Sequence, residues 1–279
     1  MLISRYSINR LIDSRNCYEL MQRGFVISNK NNAGISSYTT GFRSNHEHIR
    51  TVEQIVSGDK GGMIISPQIG LHENVVALDY DSEYANLIVN HNLSYETVSL
   101  SKEGRTIIVQ SNNNKEKKGL LPSIVERFLK RRLYFKRLLK ELPKESIEYV
   151  WCEQRVNSLK NILVCLYGST GSIWNRYGNV LAFEEINRIS RDVLIKTKDI
   201  VQELGYELVY ADTDSVFIKR RRKDYSSSAA ATGDYNEVIN TLSKETGLSI
   251  SIDYHYKFLV LLPLEAGDEK TKALFWNYL

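Results

Sequence analysis

At 279 residues, with 42% hydrophobic and 25% charged side chains, the chain can hold one large domain or two modest ones of ordinary globular composition. Its net charge of +4 understates how basic it is locally, because Lys and Arg bunch at 115–118, 127–137 and 220–223, a pattern that suits a polyanionic partner. Three scattered cysteines (Cys17, Cys152, Cys165) without a C-x-x-C pair, no apolar run of spanning length and no signal-peptide core argue against zinc, disulfide-scaffold and membrane classes, and point to a reduced cytoplasmic protein.

In chain order, Ile8, Leu11, Ile12, Tyr18, Leu20 and Met21 have the loose spacing of a helix over 8–23. Residues 27–50 are rich in Asn, Ser and Gly and read as irregular; His46 and His48 fall there without further ligands nearby, which suits a surface loop. Glu53 to Val56 suggests a short helix before the breaker Gly58-Asp59-Lys60-Gly61-Gly62. A short strand follows from Met63 to Pro67. Val75 to Asp81 is a second strand, whose unbroken apolar run predicts burial on both faces. Asp79 stands where that strand emerges, a natural place for a metal ligand, though an Asp there is more often only a cap or turn residue. Ser82 can cap a helix over Glu83–Asn92.

Residues 101–118 read as a small hairpin followed by a polar loop. Pro122 then opens a helix over 123–141, with an apolar side (Ile124, Phe128, Leu129, Leu133, Phe135, Leu139) and a basic one (Arg127, Lys130, Arg131, Arg132, Lys136, Arg137). A second helix over roughly 145–167 carries Arg155 and Lys160, so the pair forms an antiparallel helical hairpin; Gly168-Ser169-Thr170-Gly171 is expected to break it. A third long helix spans about 181–204 and stops at Gly205. It leads into Glu207-Leu208-Val209-Tyr210 and Val216-Phe217-Ile218, two β-prone runs around Ala211-Asp212-Thr213-Asp214-Ser215. Two carboxylates that close need a cation or a well-solvated tip, and such hard oxygen ligands suit Mg²⁺. Residues 220–235 are of low complexity; 248–252, 257–264 and 273–278 read as strands.

Taken together, the order resembles the family B DNA polymerases, in particular a divergent archaeal branch. Asp79-Tyr80-Asp81-Ser82-Glu83-Tyr84-Ala85 resembles motif A, D-x-x-S-L-Y-P. Lys160 through Tyr167-Gly168 has the spacing of motif B, K-x-x-x-N-S-x-Y-G. Tyr210-Ala211-Asp212-Thr213-Asp214-Ser215 matches motif C, Y-x-D-T-D-S. Gly61-Gly62 resembles the Y-x-G-G loop, and Lys270 with Lys272 resembles a remnant of the K-K-x-Y element that touches the primer duplex.

The resemblance implies an α+β fold, a polymerase palm of antiparallel sheet and packed helices plus a two-helix fingers hairpin. It divides the chain into an N-terminal segment (1–57), palm (58–118), fingers (119–168) and palm again (169–279), without exonuclease or thumb domains. The implied activity is template-directed DNA polymerisation by two-metal-ion nucleotidyl transfer. Two Mg²⁺ would be held by Asp79, Asp214 and the Tyr80 carbonyl, with Asp212 as auxiliary acid. Tyr80, Ser82, Tyr84, Arg132, Lys160 and Tyr167 would meet the dNTP, Tyr84 excluding a 2′-hydroxyl. Gly61, Gly62, Gly168, Thr213, Lys270 and Lys272 would meet primed template DNA. The implied partners are that DNA, dNTPs and a second polypeptide supplying the missing parts, in the cytoplasm at the nucleoid.

Several positions depart from the pattern: Glu83 and Ala85 replace Leu and Pro in motif A, Val164-Cys165 replace Asn-Ser in motif B, and Asp59-Lys60 stand where the loop normally begins with Tyr. Glu83 adds a negative charge near the acids unless its side chain points away. The competing reading is a polymerase-derived, non-catalytic scaffold or DNA-binding protein. A metal-dependent phosphohydrolase on the same acids would need neither the basic hairpin nor Tyr84.

Overall fold

The computed structural model describes residues 7–27, 61–100, 107–109, 118–172, 175–220, 235–263 and 272–274. Six helices are present among them: α1 (Ile8–Gln22), α2 (Glu83–Asn90), α3 (Leu120–Glu141), α4 (Ile147–Gly171), α5 (Val180–Glu203) and α6 (Asn236–Thr246). The strands are β1 (Ile64–Ile65), β2 (Gly70–Tyr80), β3 (Val98–Leu100), β4 (Ile107–Val109), β5 (Tyr206–Asp212), β6 (Ser215–Arg220), β7 (Ile250–Leu262) and β8 (Lys272–Leu274). The fold is therefore the expected α+β mixture of antiparallel sheet and helices. No helix among the described residues is long and apolar enough to cross a membrane. The chain divides into two compact units, one within Met1–Lys60 and Tyr84–Arg188, the other within Gly61–Glu83 and Ile189–Leu279.

The second unit is built on a six-stranded antiparallel sheet in the order β1-β5-β6-β2-β7-β8. The apolar run of β2 explains its place inside the sheet: Val75, Val76, Ala77 and Leu78 are all buried, so both faces are covered. Val75, Ala77, Val209, Phe217, Tyr256, Leu259 and Leu261 form one buried apolar cluster, with Tyr210 packed against it. From β2, the Tyr80 hydroxyl meets Thr197 Oγ1 of α5 at 2.6 Å.

In this unit the structure corrects one expectation and adds one element. The strands read at 248–252 and 257–264 are one continuous strand, β7, because a bulge absorbs the polar interruption. Its register with β2 passes from Leu78↔Ile252 to Ala77↔Tyr254, leaving Asp253 as the extra residue. Helix α6 was not anticipated at all. Its buried Val238 and Leu242 stand four apart, and Gly247 ends it at φ +68°, so the signal existed but was short.

The first unit contains α1, the β3–β4 ribbon, the α3–α4 hairpin and the start of α5. Helix α3 begins at Gly119, which has no side chain to cap it. The cap comes from a distant turn instead: Asn92 Oδ1 accepts from Gly119 N–H at 2.8 Å, Glu96 Oε1 from Leu120 N–H, and Ser94 Oγ from Leu121 N–H at 3.0 Å. A Cβ on Gly119 would come within 2.7 Å of the Ser94 Cβ, so glycine is required there. Arg127, read as part of a phosphate-facing basic side, is engaged elsewhere, donating to both oxygens of buried Glu19 on α1 at 2.9 and 3.2 Å.

Helix α4 does not break at Gly168 but runs on to Gly171, the hydroxyls of Ser169 and Thr170 donating back to the carbonyls of Leu166 and Tyr167. The expected elements at 53–56, the loops over 27–50 and 220–235, His46, His48 and Lys270 fall wholly or almost wholly outside the described residues.

Asn179 starts α5 by accepting from Leu181 and Ala182 N–H through Oδ1 at 3.0 and 3.2 Å. It also donates through Nδ2 to the carbonyls of Tyr95 and Val98 at 2.8 and 3.2 Å. Asn179→Ala removes the cap and its bonds to the Tyr95 and Val98 carbonyls, and is expected to cost about 2 kcal/mol or more in urea unfolding. A loss below about 0.5 kcal/mol would show that water replaces these bonds without cost.

Candidate functional site

The β5–β6 hairpin closes on a two-residue turn, with Asp212 opposite Ser215 and Thr213-Asp214 between them. Thr213 takes φ +56°, a left-handed value that is costly for a β-branched residue. Neighbours hold it there: its N–H donates to the Met63 carbonyl at 3.0 Å and its hydroxyl to Asp212 Oδ1 at 3.1 Å. The Tyr210 hydroxyl reaches the other oxygen of Asp212 at 3.3 Å. Asp212 is thus occupied on both oxygens.

Asp79 arrives from β2, paired in register with Ser215. The Ser215 hydroxyl donates to Asp79 Oδ1 at 3.0 Å, and the Tyr80 N–H donates to the Asp214 carbonyl at 3.0 Å. These two bonds bring the end of β2 against the turn, so Asp79, Asp212 and Asp214 gather at one end of three neighbouring strands. Sequence reasoning did not single out Ser215 as a site residue. Its position in the Y-x-D-T-D-S run, across the ladder from Asp79, was the available signal.

Glu83 joins them. It is 2% exposed, and neither carboxylate oxygen makes a hydrogen bond of good geometry. Burial pushes its pKa up to about 8, the Ser190 hydroxyl works against that shift, and the charges of Asp214 and Asp79 add to it. A protonated Glu83 adds no negative charge beside the two aspartates at neutral pH.

Among the described residues, no three His, Cys, Asp or Glu side chains form a group placed to hold a metal ion by themselves. By donor chemistry, the residues named from the sequence, two carboxylates and a backbone carbonyl, are hard oxygens of the kind Mg²⁺ takes when substrate phosphates and water complete its shell. Ahead of β2, Gly61 sits at φ +57° and its carbonyl accepts from Arg191 at 2.9 Å. Arg191 carried no sequence signal.

In the other unit, Tyr84 stacks on Tyr167 with ring centroids 4.1 Å apart and planes 5° from parallel. Tyr167 also stacks on Phe183 at 5.1 Å and donates its hydroxyl to Asn187 Oδ1 at 2.5 Å. The two tyrosines named from sequence, 83 residues apart, are therefore braced as one layer. Lys160, Val164 and Gly168 are spaced four apart on α4 and all exposed, so this part of motif B forms one open stripe. Arg132, by contrast, is 7% exposed on α3. Lys272 lies in β8, and Lys270 lies outside the described residues.

Comparison with known proteins gives the family of the chain. The sequence profile of DNA polymerase family B matches residues 17–263. The chain is 30% identical over 215 residues to "DNA polymerase 2" of Saccharolobus solfataricus, which covers 77% of this chain and 30% of that protein. It is 27% identical over 247 residues to the catalytic polypeptide of DNA polymerase alpha from Saccharomyces cerevisiae, covering 88% of this chain and 16% of that one. The family B DNA polymerase of the archaeon Pyrobaculum calidifontis superposes on 98% of this chain with a TM-score of 0.62 at 19% identity, over 33% of its own length. The chain belongs to DNA polymerase family B. It spans about a third or less of the length of these relatives.

Glu83 gives a signed pH dependence. Its folded pKa of about 8 stands above the ordinary 4.5, so the unfolded chain releases a proton that the folded chain retains. Stability is full below pH 4.5 on this account and falls as pH rises toward 8, by roughly 1.4 kcal/mol per pH unit at most. In metal-free buffer Glu83→Leu should raise the urea midpoint relative to wild type at pH 8, with the advantage shrinking toward pH 5. An advantage of equal size at both pH values would count against a proton held on Glu83.

Proposed function

We propose that this chain is the template-directed nucleotidyl-transfer core of a DNA polymerase, joining dNTPs to a primer 3′-hydroxyl. What supports the reading most is the convergence of Asp79, Asp212 and Asp214 through the β2–β6 register, in a chain of this family. Asp79, Asp214 and the Tyr80 carbonyl would hold two Mg²⁺; when bound, these ions lower the pKa of the attacking hydroxyl and offset charge on the departing pyrophosphate. Asp212, engaged by Thr213 and Tyr210, has the auxiliary part of shaping the turn. Lys160, exposed on α4, and Arg132 would bind the triphosphate, where cations offset the phosphate charge without any proton transfer. The Tyr84 ring, braced from behind by Tyr167, would press on the sugar of the incoming nucleotide and reject a 2′-hydroxyl. Ser82 and Tyr80 would line the same nucleotide. Gly61, Gly62, Gly168, Thr213, Lys270 and Lys272 would track the DNA, and residues 119–168 would act as the fingers against a palm formed by the remainder.

Primer extension tests the reading directly, at low salt with Mg²⁺ and four dNTPs, alone and with the polypeptides encoded beside this one. Asp214→Ala should lose on the order of a thousandfold in rate or more, because it removes several kcal/mol of charge stabilisation. No extension in any arm, with primed DNA still bound, would replace the catalytic reading by that of a DNA-binding scaffold.

Tyr84→Ala should raise ribonucleotide incorporation relative to deoxyribonucleotide by about tenfold or more, since the steric exclusion of a hydroxyl goes with the ring. An unchanged ratio with normal dNTP use would remove Tyr84 from the sugar-facing role.

A further inference from the structure

The α3–α4 hairpin carries a second group of side chains that the motifs do not include. Tyr134 meets Phe135 edge-on, with ring centroids 5.4 Å apart. From the adjoining helix, the Arg155 guanidinium lies 5.6 Å from the Phe135 ring and 4.5 Å from the Trp151 ring. An Arg155 N–H donates to the Trp151 carbonyl at 3.2 Å, which fixes the guanidinium over the rings. The four groups form one continuous run from α3 to α4. They lie away from the motif B stripe, because Lys160 is nine residues beyond Trp151 and so about half a turn round the helix.

A satellite core would bury these rings, yet Trp151 is 59% and Tyr134 54% exposed. Large rings left in water in one run mark a binding surface. The charge around them selects the occupant. Residues 127–160 contain ten Lys and Arg against four Glu. Exposed Lys130, which also pairs with Glu126 at 3.0 Å, and Arg131 precede Tyr134 and Phe135 by one helical turn, so cations flank the rings on the same faces. A protein surface docking here would cover Trp151 together with exposed Ile147 and Val150, but it would make no use of the excess of positive charge around them. A polyanion that also offers flat faces uses both, and single-stranded nucleic acid is such a ligand.

We propose that this part of the hairpin is a binding platform for single-stranded nucleic acid, whose bases stack on Trp151 and Tyr134 while Arg155, Lys130 and Arg131 take the phosphates. The platform needs neither metal nor dNTP, so its test is independent of nucleotidyl transfer. Fluorescence anisotropy of the full chain in EDTA would compare labelled oligo(dT) with an abasic oligonucleotide of equal length and charge. Trp151→Ala should weaken oligo(dT) binding by about 5- to 100-fold and leave abasic binding unchanged. Tyr134→Ala should act in the same direction, and Trp151→Phe, which keeps a stacking ring, should restore most of the affinity. Wild-type affinity of Trp151→Ala for oligo(dT) would overturn the proposal, as would equal losses on both probes. A wild-type chain that sediments as a dimer beside a monomeric Trp151→Ala would also overturn it, making the patch an interface between copies.

Discussion

Two hydrogen bonds between distant parts of the chain hold the acidic centre together: Ser215 to Asp79, 136 residues apart, and Tyr80 N–H to the Asp214 carbonyl. They belong to the β2–β6 ladder, and in a ladder the side chains alternate between faces. A slip of one residue would send Asp79 to the opposite face and bury a charge where Val76 and Leu78 now pack. The Ser215 hydroxyl on Asp79 and the Tyr80 N–H on the Asp214 carbonyl are both lost in such a slip, so they hold the register. The apolar run stabilises the sheet, and these polar bonds fix where the carboxylates lie.

Crowding acids in one place has a cost, and the chain distributes it. Thr213 accepts a left-handed backbone, held by the Met63 carbonyl, so that the turn can present Asp214. Asp212 gives both oxygens to neighbouring hydroxyls. Glu83 stands where the motif of this family has leucine, and burial keeps it protonated, so it resembles leucine in charge. The negative charge that Glu83 would add beside the acids is muted by the environment of that one side chain.

The parts legible in the sequence were those carried by strong periodicity or by a motif. The run Val75–Leu78, the Asp hairpin, and the long helices ending at Glu141 and Glu203 fall nearly where spacing put them. Harder to read were features decided by tertiary contact. Polar Asp253 hid the continuity of β7 because a bulge is a property of two strands. Gly168 suggested a break, yet α4 continues past it and ends at Gly171. A Cβ at Gly171 would come within 2.8 Å of the Phe183 ring, so packing as well as the helix end accounts for that glycine. The pairing of Arg127 with Glu19 joins residues 108 apart, beyond the reach of any local pattern.

The position of β2 between β6 and β7 also governs the order of assembly. Helices α3 and α4 find each other across a link of a few residues and can form as soon as they are made. β2 precedes both of its neighbours by more than a hundred residues, so its apolar run emerges with no strand to pair with. Until residues 215–262 exist, that strand is an open edge of the kind that invites intermolecular pairing. The acidic centre is accordingly the last thing to form, and newly made chains are most vulnerable to aggregation in the interval when the helical hairpin is already folded and the sheet is not.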